Sequence, residues 1–173
     1  ARCVHRLPAV IMTLPFEGDG GPTPPLLWLS CPKLAAGVAS LESRGAVGKY
    51  RARLAGDRVA MAAFLGEEDR FSRILTVLAE GTGSAALVKN LSSKGVAGGE
   101  KGAVKCLHAH LAYRLARAGL ELADGGREGK HGTQAFTDIA ARGLDSQCVL
   151  GGWCIRDLGG RLWCEKTHEA CFD

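Results

Sequence analysis

The segment VKCLHAHLAYRLARAG, residues 104–119, places a cysteine and two histidines together at the start of a helix-forming pattern. Leucines recur at every fourth position, which predicts the apolar face of an amphipathic helix. On such a helix Cys106 and His110 lie one turn apart and border that face, whereas His108 points away from them. The segment is therefore a metal site, a catalytic Cys–His pair or the polar end of a buried helix, and helical geometry prefers His110 as the partner of Cys106.

The metal hypothesis extends from this segment to other cysteines. A thiolate and an imidazole one turn apart can bind one zinc ion, and the glycine-rich run GVAGGEKG leaves the helix N-terminus open, which favours a thiolate at Cys106. Cys31 stands at another predicted helix start, and Cys3 or His5 can complete a tetrahedral Cys₃His or Cys₂His₂ site. The predicted metal-site candidates are Cys3, His5, Cys31, Cys106, His108 and His110.

The same residues have two other interpretations. Cys106 can be a small buried hydrophobic residue, with His110 hydrogen-bonded nearby. In a thiol-dependent enzyme, Cys31 or Cys106 is the nucleophile and His108 or His110 the base. The sequence reveals no third group to orient the histidine, and GVAGGEKG lacks the phosphate-binding pattern G-x₄-G-K-[ST]. We therefore assign no catalytic residue, and no small-molecule substrate is identifiable.

Three motifs in fixed order resemble the uncharacterised bacterial family known as domain of unknown function 501. They are LPAVI shortly after Cys3, then LLWLSCP, then VKCLHAH following a glycine pair. The resemblance covers roughly residues 2–119. The chain departs from the family at His5, in lacking an Asn-Pro stretch after Gly119, and in its cysteine-rich tail. The resemblance implies a shared fold but no known activity, and the cysteines and histidines of these motifs are the metal candidates Cys3, Cys31, Cys106, His108 and His110.

Two apolar runs near the N-terminus predict a β-hairpin. LPAVIMTLP (7–15) and PLLWLS (25–30) have the composition of short strands, and the Gly- and Pro-rich residues 16–24 between them form a loop. We expect the two strands to pair with each other.

Helical patterns follow the hairpin. Residues 30–47 predict a helix that begins at Pro32, where the missing N–H is tolerated, and ends near Gly45. Residues 49–81 predict one or two helices, with a break near Gly66. The sequence therefore predicts an α+β fold, in which a small N-terminal β-hairpin packs on a helical bundle and a Cys-rich, loop-rich tail follows.

The chain divides into three predicted parts. Residues 1–119 form the family-like α+β core, 120–143 a linker with a short helix, and 144–173 the Cys-rich tail. The tail has three basic and five acidic residues, whereas the whole chain has a net charge of +4. This shift in charge favours a separate tail module, docked or mobile.

The tail offers alternatives for its cysteines. Two disulfides would allow three pairings, and unpaired thiols packed beside the tryptophans are a further option. The disulfide or second-metal candidates are Cys148, Cys154, Cys164 and Cys171, with His168 joining the last three in the zinc alternative. Trp153 and Trp163 are interface candidates, because aromatic side chains are favoured at protein interfaces. Disulfides need an oxidising compartment, which favours a plastid or mitochondrion; without them a bacterial-type cytoplasm is expected.

Charge and hydropathy limit the classes of function. The basic residues are scattered, so the sequence indicates no clear nucleic-acid site. No apolar run approaches the roughly 20 residues of a membrane span, and the first residues lack a signal-peptide pattern. We expect a non-catalytic accessory subunit of a larger protein assembly, built on a domain that binds zinc or an iron–sulfur cluster. The alternative is a thiol-dependent enzyme that uses a Cys–His pair.

Overall fold

Six helices and three short antiparallel strand pairs account for the regular structure in the described part of the chain. The computed structural model describes residues 7–13, 17–18, 21–22, 27–80, 84–125, 149–158, 163–164 and 169–170. The strands are β1 (Val10–Met12), β2 (Glu17–Gly18), β3 (Gly21–Pro22), β4 (Leu27–Leu29), β5 (Trp163–Cys164) and β6 (Glu169–Ala170). The helices are α1 (Pro32–Ser43), α2 (Ala46–Gly56), α3 (Arg58–Glu80), α4 (Ala85–Leu91), α5 (Leu107–Gly125) and α6 (Val149–Asp157). The predicted helix within 133–144 lies outside the described residues.

The predicted hairpin is present. Strands β1 and β4 pair antiparallel, with Val10 opposite Leu29 and Ile11 opposite Trp28. Because side chains alternate along a strand, Val10 and Leu27 are buried against the helices, whereas Ile11 and Trp28 are each 46% exposed. The hairpin packs on α5 and the start of α1, so the predicted α+β class is confirmed.

The helix boundaries follow local capping chemistry. Helix α1 begins at Pro32 as predicted, and Gly45 adopts the left-handed conformation, with φ of 80°, between α1 and α2. The predicted break near Gly66 is wrong, because α3 runs through that position without interruption. The break lies at Asp57, which is extended and whose Oδ1 accepts the N–H of Ala60 at 2.9 Å. The side chain of Asp57 caps the start of a new helix, whereas Gly66 lies inside α3 with open space around it and does not interrupt the helix.

Helix α5 is the central element of the core. One of its faces packs with the hairpin, α3 and α4, where Phe71 and Tyr113 meet edge to face at 5.2 Å between ring centroids. The opposite face packs with α1, α2 and α6 through Leu107 and Leu111, both fully buried. The segment that the sequence singles out is therefore the axis on which the fold is assembled.

The start of the tail is docked on this core. Helix α6 buries Leu150 and Cys154 in the same cluster as α1, α2 and α5. At the crossing of α6 over α5, a Cβ on Gly151 would lie 2.6 Å from the Cβ of Arg114 and 2.9 Å from the carbonyl oxygen of His110. Only a glycine permits this approach of the two helices.

The burial of Trp153 corrects one prediction. This side chain is 7% exposed, and its ring meets the ring of Tyr50 edge to face at a centroid distance of 5.4 Å. The guanidinium of Arg53 covers the indole at 4.1 Å from its centroid. Trp153 is therefore a core residue, and its prediction as an interface residue is wrong. The side chain of Trp163 lies outside the described part.

Two adjacent glutamates of α3 are buried, and their carboxylates accept hydrogen bonds from backbone N–H groups of other segments. Glu67 Oε1 accepts the N–H of Val149 at 2.6 Å and so caps the start of α6. Glu68 Oε1 accepts the N–H of Val96 at 3.2 Å in the glycine-rich loop. Gly95 leaves room for the Glu68 carboxylate, which a Cβ at that position would meet. Both carboxylates thus fix distant segments to α3.

Candidate metal centre

Cys106 lies just before α5 rather than within it. Its carbonyl oxygen accepts the N–H of His110 at 3.5 Å, which makes Cys106 the residue that flanks the first helical turn. The next backbone N–H, that of Leu107, donates to Glu42 Oε1 at 2.7 Å. A carboxylate near the end of α1 therefore caps the start of α5 and brings these two helices together next to Cys106.

Three potential metal ligands meet at this junction. Each of three half-buried residues offers one atom that could bind a metal, and these atoms lie within 4.8 Å of one another. The residues are Glu42, Cys106 and His108. His108 Nδ1 is 3.3 Å from Glu42 Oε2, and His108 Nε2 is 3.1 Å from the carbonyl oxygen of Ala35. Both ring nitrogens of His108 thus face an oxygen of α1.

The surroundings of His108 determine where its proton lies. The carbonyl of Ala35 can only accept, so Nε2 carries the hydrogen and Nδ1 of the neutral ring has a lone pair. That lone pair faces Glu42 Oε2, itself an acceptor, so a proton or a cation must lie between them. Two ligand atoms about 2.0–2.1 Å from a tetrahedral zinc ion are about 3.3 Å apart, which matches this separation. A carbonyl on the second ring nitrogen is also the usual support of a metal-bound histidine.

His110 does not belong to this group. Its side chain is 2% exposed, its Nδ1 is 4.0 Å from Glu68 Oε1, and its Nε2 has no hydrogen-bond partner among the described residues. Burial lowers the pKa of His110 to about 4, so the ring is neutral near pH 7. The preference for His110 over His108 assumed that Cys106 lies inside the helix. Since Cys106 precedes the helix, its side chain is free of the helical spacing and approaches His108 instead.

The remaining candidates are placed as follows. Cys31 flanks the start of α1 as a partly buried free thiol, packs near the α1–α6 side of the core and is not part of the Glu42 group. Cys154 is a buried free thiol, and burial raises its pKa to about 12. The structure does not describe the side chains of Cys3, His5, Cys148, Cys164, His168 and Cys171, so predictions that involve them stay predictions.

Sequence reasoning missed Glu42. It lies far from Cys106 in the chain, and no ligand-type spacing connects the two residues. The available signal was its position directly after the apolar stripe of α1 that ends at Leu41, which places Glu42 at the border of the buried face. Only the packing of α1 on α5 brings it to the site.

The chain belongs to the family described as Protein of unknown function (DUF501), whose model matches residues 1–122. This confirms the family predicted from the three motifs, and the match includes Glu42, Cys106 and His108. Neither the curated proteins nor the solved structures contain a match to the chain. No helix in the described part is both long and apolar enough to cross a membrane.

Proposed function

We propose that this family member binds one zinc ion through Glu42 Oε2, Cys106 Sγ and His108 Nδ1. The observation that carries the proposal is the convergence of three ligand atoms, in which His108 Nδ1 lies 3.3 Å from Glu42 Oε2 and Cys106 completes the group, while the carbonyl of Ala35 faces the other ring nitrogen. Carboxylate, thiolate and imidazole are all zinc ligands. An iron–sulfur cluster needs several thiolates, and Cys106 is the single cysteine that the described residues contribute to this group, so zinc is favoured over a cluster.

The charges of the site support a divalent cation. Glu42 and an ionised Cys106 together balance its two positive charges, while His108 binds as a neutral ring. The start of α5 carries partial positive charge, which stabilises the thiolate at Cys106 when the metal is bound. Since Glu42 belongs to α1, the ion would join α1 to α5 and stabilise the fold through binding.

The proposed biological role is that of a non-catalytic accessory subunit in a protein assembly. Its support is the outer face of the hairpin, where Ile11 and Trp28 lie opposite each other on the paired strands and are each 46% exposed. Neighbouring large apolar side chains on a surface are typical of interaction sites. Size analysis of the native extract provides the test, because a chain that elutes only as a monomer would contradict this role.

A thiol-dependent enzyme also needs a third group that orients the histidine, and Glu42 is a candidate for that group. Glu42 lies beside His108 as an orienting carboxylate, and Cys106 belongs to the same group at the start of α5. Against this alternative, both ring nitrogens of His108 face oxygens of α1, so neither is placed to take the thiol proton. Rapid alkylation of Cys106 by iodoacetamide in the metal-free protein, abolished in His108→Gln, would favour the enzyme.

The metal content of the purified protein tests the proposal. Protein purified without chelator is expected to hold one zinc per chain, and Glu42→Gln, Cys106→Ser and His108→Gln are each expected to lose it. Glu42→Gln is a mild change, because the amide oxygen can still accept the N–H of Leu107. Cys31→Ser is the matched control, since this cysteine also flanks a helix start but lies outside the group. Equal zinc content in all four variants would contradict the proposal.

A further inference from the structure

We infer that the cation held by Glu42, Cys106 and His108 keeps its fourth coordination position open, for a water molecule that a small anion can replace. The inference rests on the proposed function. Within the described part of the chain, the group supplies one oxygen, one sulfur and one nitrogen. Structural zinc sites are closed by four protein ligands, whereas sites with three protein ligands hold water or an exogenous ligand at the fourth position.

The exposure of the ligands indicates an open site. The side chains of His108 and Glu42 are 30% and 28% exposed. Elsewhere in the same core, the polar pair His110 and Glu68 is 2% and 1% exposed, which shows how completely this fold can close around such groups. The metal ligands are therefore accessible to solvent, as an exchangeable fourth position requires.

The charges at the site select the class of ligand. A divalent cation with one carboxylate, one thiolate and a neutral imidazole forms a centre of zero net charge. The N-terminus of α5, at Cys106 and Leu107, adds partial positive charge on the same side. This partial charge can balance one additional negative charge at the fourth position but not two. The predicted ligand is therefore a small monodentate anion in exchange with water.

Cobalt(II) substitution of the protein tests the metal site and its open fourth position separately. The visible bands of protein-bound cobalt report its coordination, and a thiolate-to-cobalt charge-transfer band reports Cys106. Wild-type protein is expected to show both, and the charge-transfer band is expected to disappear in Cys106→Ser. If wild-type protein shows no cobalt spectrum, the proposed function itself fails.

Azide titration of the cobalt protein then tests the open position. Azide is expected to shift the visible bands with saturation while the charge-transfer band of Cys106 persists. Bands that form but do not respond to azide would overturn the inference and leave the metal site intact. The variants Cys3→Ser and His5→Gln test whether a fourth protein ligand explains the missing response to azide. If either residue is that ligand, its replacement would weaken cobalt binding. On the present inference both variants retain cobalt affinity and the azide response.

Discussion

Replacing Gly151 by alanine tests how closely α6 crosses α5. The new Cβ would lie 2.6 Å from the Cβ of Arg114 and 2.9 Å from the carbonyl oxygen of His110. Both distances are shorter than ordinary van der Waals contact, and neither contacting atom lies at the flexible end of a side chain. The two helices must therefore separate, or their side chains must leave their preferred rotamers.

The adjacent Gly152 provides the matched control. A Cβ at that position would have its nearest neighbour at 3.6 Å, the Nη1 atom of Arg114, which is ordinary contact. Both substitutions gain about 0.8–1 kcal/mol of helix propensity, because alanine loses less backbone entropy than glycine. Overpacking at Gly151 costs about 1–3 kcal/mol, so Gly151→Ala is expected to be less stable than Gly152→Ala by about that amount.

Urea unfolding of the full-length variants, followed by circular dichroism, measures this difference. Gly152→Ala is expected to be at least as stable as the wild type, and Gly151→Ala to unfold at lower urea concentration with an unchanged slope. Equal stability of the two variants would refute the close crossing of α5 and α6, and with it the docking of the start of the tail.

Three further predictions concern charged and polar groups of the core. Burial raises the pKa of Glu68 from 4.5 to about 7, so its contribution to stability is present below pH 4.5 and lost as the pH rises through about 7. Glu68→Gln should therefore make the free energy of unfolding decline less between these pH values, and an unchanged decline would count against this pKa. His108→Gln should weaken zinc binding by more than about tenfold in competition titrations with a chromophoric chelator, whereas His110→Gln should not; the reverse result would restore His110 as the ligand. Tyr50→Phe removes the hydrogen bond from Tyr50 Oη to Asp157 Oδ2, 2.7 Å long, and should lower stability by about 0.5–1.5 kcal/mol in urea unfolding. The same loss in an Asp157→Ala background would show that the bond is not the cause.

Local sequence patterns predict the first hairpin, α1 and α5, but not α6, which lies in the segment expected to be rich in loops. The apolar runs of the two hairpin strands, the proline at the start of α1 and the leucine spacing of α5 each depend on neighbours in the chain. Helix ends were harder to predict, because a capping aspartate competes with a nearby glycine as the break. The residues at Asp57 and Gly66 illustrate this, since the side-chain bond at Asp57 decides the outcome.

The site was predicted only in part because it depends on distant contacts. Cys106 and His108 were recognised as candidates from their residue types. The choice between His108 and His110 depended on whether α5 begins before or after Cys106, a shift of one or two residues that sequence patterns do not resolve. Glu42 required the packing of α1 against α5, which has no local signature. Burial of Trp153 was missed for the same reason, because its partners belong to α2.

Zinc K-edge X-ray absorption on the protein tests the Glu42–Cys106–His108 site directly. We expect one sulfur per zinc at about 2.3 Å, from Cys106, with the remaining nitrogen and oxygen ligands at about 2.0–2.2 Å. The sulfur contribution should be absent from any zinc that Cys106→Ser retains. Three or four sulfur ligands would contradict the Glu42–Cys106–His108 site and assign the metal to the other cysteines, and a protein that takes up no zinc would show that these residues do not form a zinc site.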